Sequence, residues 1–406
     1  MATSLPRPMR VPDDELVAFA QAVNRHFYED DSEEAVAHHV SAHRSGYRAW
    51  VVRDRGRIIA NLGVIETDLS LPGGARLPVA AVTAVGVAQT SRRRGLLRAL
   101  MAAAHDEAVA HGEPVAALFA SETPIYGRFG YGATAPGHSY TIKRAHTRFR
   151  TPADTRLVQP VEVSQARATW PALHDAWRDQ RGGAGGLSAG LWQLGVEVDP
   201  PSWRGGSTAR QLVEIPGRAY ARYRLSGGHQ EGLGNGEVSI IEFVALDPEA
   251  EAALWQYLCD LDLTARITLD LAPPDDALPA MVTEPMALGM RPAPALHTRI
   301  LDLPRALATR SYDVADTLVL QVHDAGGYAE GSFRLDASPA GAEVARCDAD
   351  AQLILDIEDL SAVWLGGVRT SQLVAAGRVR ERQPGAAARL DRLLHVPRAP
   401  FTNHIF

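Results

Sequence analysis

Apolar and polar positions along this chain alternate between a helical spacing and a strand-like one, and the switches between the two mark its elements. Residues 13–44 read as two helices with acidic starts, Asp13-Asp14-Glu15 and Asp31-Ser32-Glu33-Glu34, where negative charge meets the positive end of a helix dipole. Those carboxylates are structural on this reading. Strand-like runs follow at 48–52, 57–65 and 76–87, separated by Arg55-Gly56 and Pro72-Gly73-Gly74, which predicts an antiparallel meander. The last run feeds Ala88-Gln89-Thr90-Ser91-Arg92-Arg93-Arg94-Gly95. A helix from Leu96 to about residue 110 comes next, with Leu97, Leu100, Met101, Ala104 and Ala108 at helical spacing and Gly112 closing it. A buried strand at 114–120 and a compact segment from Ser121 to Gly132 complete the unit.

The stretch 151–295 repeats this order: a helix at 164–178, strands at 211–215, 218–225 and 238–246, a helix at 247–261 and a strand at 265–271. Its strand-to-helix loop is only Leu246-Asp247-Pro248, without glycine or an arginine cluster, so it reads as a decayed duplicate. The proline-rich run Pro292 to Pro304 begins a third, α+β unit, with strands at 318–322, 332–335 and 342–347 and helices at 357–364, 371–376 and 386–394. The expected fold class is mixed α/β with units at 1–150, 151–295 and 296–406.

A length of 406 residues, at roughly 150 per domain, agrees with two or three domains. With 46% hydrophobic and 22% charged residues, global disorder is excluded. The first twenty residues hold no apolar stretch suited to a signal peptide, and no later run approaches the roughly 20 residues of a membrane span. A soluble, cytoplasmic protein with no membrane partner is therefore expected. Cys259 and Cys347 stand far apart and read as reduced core thiols. The net charge of −7 argues against a sequence-independent grip on nucleic acid and suits a cationic substrate.

Lys143 is the only lysine, and its setting, Thr141-Ile142-Lys143-Arg144, is no Walker A loop. P-loop nucleotide hydrolysis is excluded, and a pyridoxal-phosphate Schiff base would have to use this same strand lysine. There is no G-x-S-x-G elbow, no H-E-x-x-H and no Cys/His cluster with zinc spacing, so no metal is implied. Gly232-Leu233-Gly234-Asn235-Gly236 lacks the helix of a dinucleotide fingerprint and reads as a hairpin loop.

The run from Val85 to Arg98 carries the chemistry. A strand that turns into a helix N-terminus exposes unpaired backbone N–H groups, and glycine lets an anion approach them, so this turn reads as a pyrophosphate cradle; a charged turn before an amphipathic helix is the alternative. The arginines lie in the turn rather than along a solvated face, which favours the cradle. Tyr126 reads either as a general acid, its phenol protonating a departing thiolate, or as a packing residue beside glycines. Tyr131 reads as core.

These residues resemble the GCN5-related N-acetyltransferase superfamily, whose signature Q/R-x-x-G-x-G/A is matched by Arg92, Arg93, Arg94, Gly95 and Leu96, with Leu97 departing from the final small residue. The run Arg92 to Arg98, the Tyr126 segment, the length and the duplicated layout are similar to the Eis (enhanced intracellular survival) family over essentially the whole chain. The resemblance implies tandem acetyltransferase domains, the first catalytic and the second degenerate, plus a sterol-carrier-protein-like domain, assembled as a homohexamer. It implies acetyl-CoA as cosubstrate and primary amines on aminoglycosides, polyamines or protein lysines as acceptors. It places Val85, Gly86 and Val87 beside the pantetheine arm, and Arg93, Arg94, Gly95, Leu96, Leu97 and Arg98 on the pyrophosphate. Ser121 and Glu122 become a second cofactor contact, although both also suit a helix cap.

Tyr126 becomes the general acid and the α-carboxylate of Phe406 the proton acceptor, folded back into the first domain's site. A buried tail that only attracts a cationic substrate is the alternative for Phe406. Among the histidines, His38, His39 and His404 are nominated by proximity alone. A non-catalytic acyl-CoA or lipid binder, using the third domain, is the rival function.

Overall fold

The computed structural model describes residues 7–29, 32–43, 46–230 and 233–406. Asp31 of the second acidic start, Gly232 of the glycine loop and the first six residues lie outside these.

The first unit contains β1 (Met9–Arg10), α1 (Leu16–Phe27), α2 (Glu33–His43), β2 (Tyr47–Asp54), β3 (Arg57–Ser70), β4 (Arg76–Val87), α3 (Leu96–Ala110), β5 (Val115–Phe119) and β6 (Gly132–Lys143). β2, β3 and β4 form the expected antiparallel meander. α3 buries Leu100, Met101, Ala104 and Ala108 of the expected stripe against it, with Leu96 and His105 added and Leu97 only half-buried.

The second unit follows with β7 (Gln159–Pro160), α4 (Val163–Arg178), α5 (Ala189–Val196), β8 (Gln211–Ile215), β9 (Ala219–Ser226), the hairpin β10 (His229–Gln230) and β11 (Leu233–Gly234), β12 (Gly236–Ala245), α6 (Pro248–Asp260), β13 (Thr264–Ala272), α7 (Leu278–Met281) and β14 (Arg291–Ile300). The third has α8 (Leu303–Thr309), β15 (Asp316–His323), β16 (Gly331–Ser338), β17 (Gly341–Arg346), β18 (Leu353–Asp356), α9 (Ile357–Val363), α10 (Thr370–Ala375), β19 (Arg380–Glu381) and α11 (Ala386–Leu393).

Among the described residues, twelve strands make one sheet in the order β1-β2-β3-β4-β5-β14-β6-β13-β12-β9-β8-β7, so the two duplicated units share a continuous sheet, joined at β6 and β13 and by β14 inserted between β5 and β6. The proline-rich run does not simply open the third unit, as its composition suggested. Leu296 to Ile300 pairs with Phe119 to Val115 of β5 on one side, while the same strand pairs with β6 on the other. The register slips between Ala293 and Leu296, around the position of Pro294. A proline supplies no N–H to the ladder and is tolerated at such irregularities. The third unit forms a separate five-stranded sheet, β17-β16-β15-β18-β19. Its interior is filled by Leu318, Leu320, Phe333, Leu335, Leu360 and Trp364.

Cys259 is a core residue as expected, and burial pushes its thiol up to about 12. Cys347 is not. It is only half-buried, one residue beyond the edge strand β17, where one side of the ladder faces solvent. Lys143 is exposed at the end of β6. Among the described residues no helix is long and apolar enough to cross a membrane.

Candidate active site

β4 and β5 run parallel but pair over only three positions, from Val79 with Val115 to Ala81 with Ala117. Beyond Ala81 the two strands part. β4 bulges there: its register against β3 slips between Asn61 and Gly63, and Ala84 takes a left-handed φ of 51°. A non-glycine residue in that region costs energy and is held by its surroundings. Here the buried Asn61 secures it, donating Nδ2 to the Ala84 carbonyl at 2.5 Å and sharing its own carbonyl with His26 Nδ1.

The gap between the parted strands is a pocket of about 230 Å³ lined by Val82 to Val85 from β4, Leu118 to Ser121 at the end of β5, Phe27, Tyr126, Ile405 and Phe406. Val85, Ser121, Tyr126 and Phe406, distant in the chain, therefore meet in one place. A second pocket of about 190 Å³, between α1, α2 and the bulge, also touches Thr83 and Ala84 and carries Glu29 and His39 in its wall. The bulge is thus the partition between two openings.

Tyr126 is 8% exposed and lies between two 3-10 turns, Thr123–Ile125 and Gly127–Phe129. Burial, with the Glu122 charge behind it, raises the phenol's pKa, so the proton stays on oxygen. The glycines around it are explained by the third unit. A Cβ at Gly132 would lie 2.1 Å from the Glu358 carbonyl of α9, and one at Gly127 would lie 2.7 Å from a Glu358 carboxylate oxygen. The turn carrying Tyr126 is therefore clamped between the large sheet and α9. Tyr131 is core as expected: it is buried and its hydroxyl meets His105 Nε2 at 2.9 Å.

The α3 N-terminus begins at Gly95, which is left-handed at φ 77° and supplies no side-chain cap. Arg93 is also left-handed, at φ 61°. Arg92, Arg93, Arg94 and Arg98 are exposed, and Arg94 approaches Asp54 only to 3.9 Å. A helix N-terminus without a side-chain cap, with four exposed arginines close to it in the chain, fits a diphosphate. The second unit shows the contrast. At the corresponding start of α6, Asp247 accepts the Ala250 N–H and is itself held by Arg218 at 2.6 and 2.9 Å, so a carboxylate of the protein already occupies the anion position.

Gly86 faces α1, where a Cβ would lie 2.8 Å from His26 Cβ. Val87 lines a separate groove at the strand's end with Gln89, Thr90 and Arg92. Leu96 points into the core, so only its backbone faces the turn, and Leu97 is half-buried. Ser121 lines the pocket, whereas Glu122 is exposed beside it, and no side-chain hydrogen bond caps the turn there. His38 and His39 pack on Trp203. Asn61 and His26 were not anticipated; the signal was a lone amide within the apolar run Ile58 to Ile65.

Three domain families match the chain: an acetyltransferase (GNAT) domain over residues 7–134, another acetyltransferase (GNAT) domain over 188–300 and a sterol carrier protein domain over 303–403. The N-acetyltransferase Eis of Mycobacterium tuberculosis is 34% identical over 359 residues, covering 84% of this chain and 85% of that protein. This chain belongs to the Eis family of GCN5-related N-acetyltransferases. An uncharacterized N-acetyltransferase of Streptomyces avermitilis is 36% identical over 391 residues, 90% of this chain and 91% of its own. The crystal structure of Eis1 from Mycobacterium abscessus superposes with a TM-score of 0.83 at 29% identity, covering 98% and 99% of the two chains. The Eis-family architecture of two acetyltransferase domains and a sterol-carrier domain is thus present here, and the chain is an N-acetyltransferase.

Proposed function

We propose that this enzyme transfers the acetyl group of acetyl-CoA directly to a primary amine in a ternary complex, with aminoglycosides, polyamines or protein lysines as the acceptor class. The observation that carries the reading is the pocket where β4 and β5 part, which brings Tyr126, Ser121, Val85 and Phe406 together.

Arg93, Arg94 and Arg98 with the backbone amides of Gly95 to Leu97 hold the diphosphate; Val85, Gly86 and Val87 present backbone to the pantetheine arm; Ser121 and Glu122 flank it. Acetyl-CoA supplies an activated acyl group on a thiolate leaving group. Backbone N–H groups at the bulge polarise the acyl oxygen. The Phe406 carboxylate takes a proton from the incoming ammonium, since only a neutral amine has the lone pair to attack. As the new C–N bond forms and the C–S bond breaks, the Tyr126 hydroxyl gives its proton to the departing sulfur, and the phenolate takes the remaining proton from the acylated nitrogen, which leaves a neutral amide and a free thiol. Net acidity of −7 favours a cationic acceptor near the site. A cytoplasmic homohexamer is part of the same reading, and sedimentation of the purified protein tests the assembly.

Release of free thiol from acetyl-CoA with kanamycin as acceptor tests the reaction. Tyr126→Phe is expected to lower kcat by about 10²–10⁴ while leaving the KM for acetyl-CoA within about twofold. Extension of the chain beyond Phe406 is expected to lower kcat likewise. Full turnover in both variants rejects the assignment of roles. Absence of thiol release with a panel of amines, together with tight lipid binding, favours the non-catalytic reading instead.

A further inference from the structure

The segment that carries Phe406 to Tyr126 is gripped by the second acetyltransferase-like unit, at alternate residues. At Ala399, Arg181 Nη1 donates to the carbonyl at 2.6 Å while Asp275 accepts the N–H at 2.9 Å, and Arg181 and Asp275 pair with each other at 2.6 Å. At Phe401, the backbone N–H donates to the Gly182 carbonyl at 2.8 Å, and the ring is buried in a cluster with Trp170, Trp177, Trp192 and Tyr220. At Asn403, Nδ2 donates to Glu242 Oε1 at 2.9 Å, and the amide oxygen faces His174 Nε2 at 3.4 Å.

Glu242 is the unusual member. It lies on β12 just past a bulge that follows Ile240, shares with Val244 the face toward α4, and is 2% exposed. Burial opposes its ionisation, but Arg222 at 2.7 Å and the neighbouring His174 and Tyr220 outweigh it and hold the carboxyl below its ordinary pKa. A buried carboxylate is costly unless its oxygens are satisfied. Here Oε1 accepts from both the Tyr220 hydroxyl, at 3.0 Å, and the tail's Asn403.

We propose that the second unit, with its own anion site blocked by Asp247, serves the first as the anchor of the terminal segment, and that Glu242 and Asn403 are the positioning pair that fixes Phe406 in the catalytic pocket. The proposal rests on the reading of Phe406 as a participant in the reaction. After Asn403 the contacts change hands: Ile405 and Phe406 line the first unit's pocket, and the Phe406 ring meets Phe119 edge-on at 5.6 Å. Three extended residues span at most ~10 Å, so freedom at Asn403 becomes freedom of the carboxylate, and misplacement by ~1 Å is enough to lose turnover.

The test uses the full-length enzyme with Asn403→Ala, a half-exposed position whose change leaves the core intact, alongside deletion of Phe406. Two quantities are measured: thiol release from acetyl-CoA with kanamycin, and release of Phe406 and Ile405 by carboxypeptidase Y. Asn403→Ala is expected to speed carboxypeptidase release about tenfold and to lower kcat about tenfold with the KM for acetyl-CoA within about twofold. Combined with the Phe406 deletion it is expected to add no further loss. Asn403→Asp, which sets a carboxylate against Glu242, is expected to lose more than Asn403→Ala.

An unchanged carboxypeptidase rate in Asn403→Ala overturns the anchor. So does unchanged kcat in Asn403→Ala when deletion of Phe406 abolishes turnover, and then the role of Phe406 survives. Faster release with full kcat in the Phe406 deletion leaves the anchor standing and overturns the catalytic role of the terminus.

Discussion

Tyr126 is held in its protonated form by burial and the Glu122 charge, and its proposed role as general acid ties that to the enzyme's response to pH. The pKa of its phenol is raised by burial first and by the Glu122 charge second. The neutral, donating form is therefore favoured to higher pH than for a tyrosine in water, whose pKa is about 10. If Tyr126 is the acid, the alkaline loss of kcat/KM lies above pH 10 and moves down in Glu122→Gln, as read from a pH–rate profile. A limb at or below pH 10 that ignores Glu122 would point to another group. Local patterns singled out the arginine turn, Tyr126 among glycines and the apolar tail, and the structure brings Tyr126 and the tail to one pocket. Asn61 and His26 were not legible, because their meaning lies in contacts to Ala84 and Gly86 across 23 and 60 positions that no local pattern encodes.

The contrast between the starts of α3 and α6 supports the proposed division of labour at the level of elements. α3 opens on Gly95, with no side-chain cap, whereas α6 opens on Asp247, whose side chain caps it. Asp247→Ala is expected to lower stability by about 1 kcal/mol, seen as a lower Tm, with kcat unchanged. A fall in kcat without a fall in Tm would mean that this turn does more than cap a helix. Sequence reading found the long periodic helices and the meander to within a residue or two at most ends. It passed over α5, α8 and β18, short elements of eight, seven and four residues, whose signals are too brief to separate from loops. The proline-rich β14 was misplaced because composition argued for a boundary, while the pairing that makes it a strand comes from β5 and β6.

On the scale of the whole molecule, the third unit braces the first. Arg299 of β14, 1% exposed, holds Asp324 through two bonds of 2.7 Å and lies over the Tyr328 ring, beside His105 and Tyr131. None of this was visible in a linear reading, which placed Arg299, Asp324 and Tyr328 in the third unit and His105 and Tyr131 in the first. Burial, aided by Arg299, pushes His105 down to about 3. With a folded pKa below the unfolded value of about 6.5, its contribution to stability is full above that pH and is lost as pH falls toward 3. Asp276 and Asp359, raised by burial to about 7 and about 6, act in the opposite direction. The effect is therefore read as the stability difference between wild type and His105→Gln, measured by chemical denaturation. That difference is expected to shrink between pH 6.5 and 4, and a difference independent of pH would contradict the assignment.

A crystal structure of the enzyme with acetyl-CoA is the most direct test of the central claim. The account predicts the diphosphate on the amides of Gly95 to Leu97 at the start of α3, and the thioester between the parted strands with its sulfur within about 3.5 Å of the Tyr126 hydroxyl. Cofactor bound elsewhere, or a thioester beyond reach of Tyr126, would contradict it.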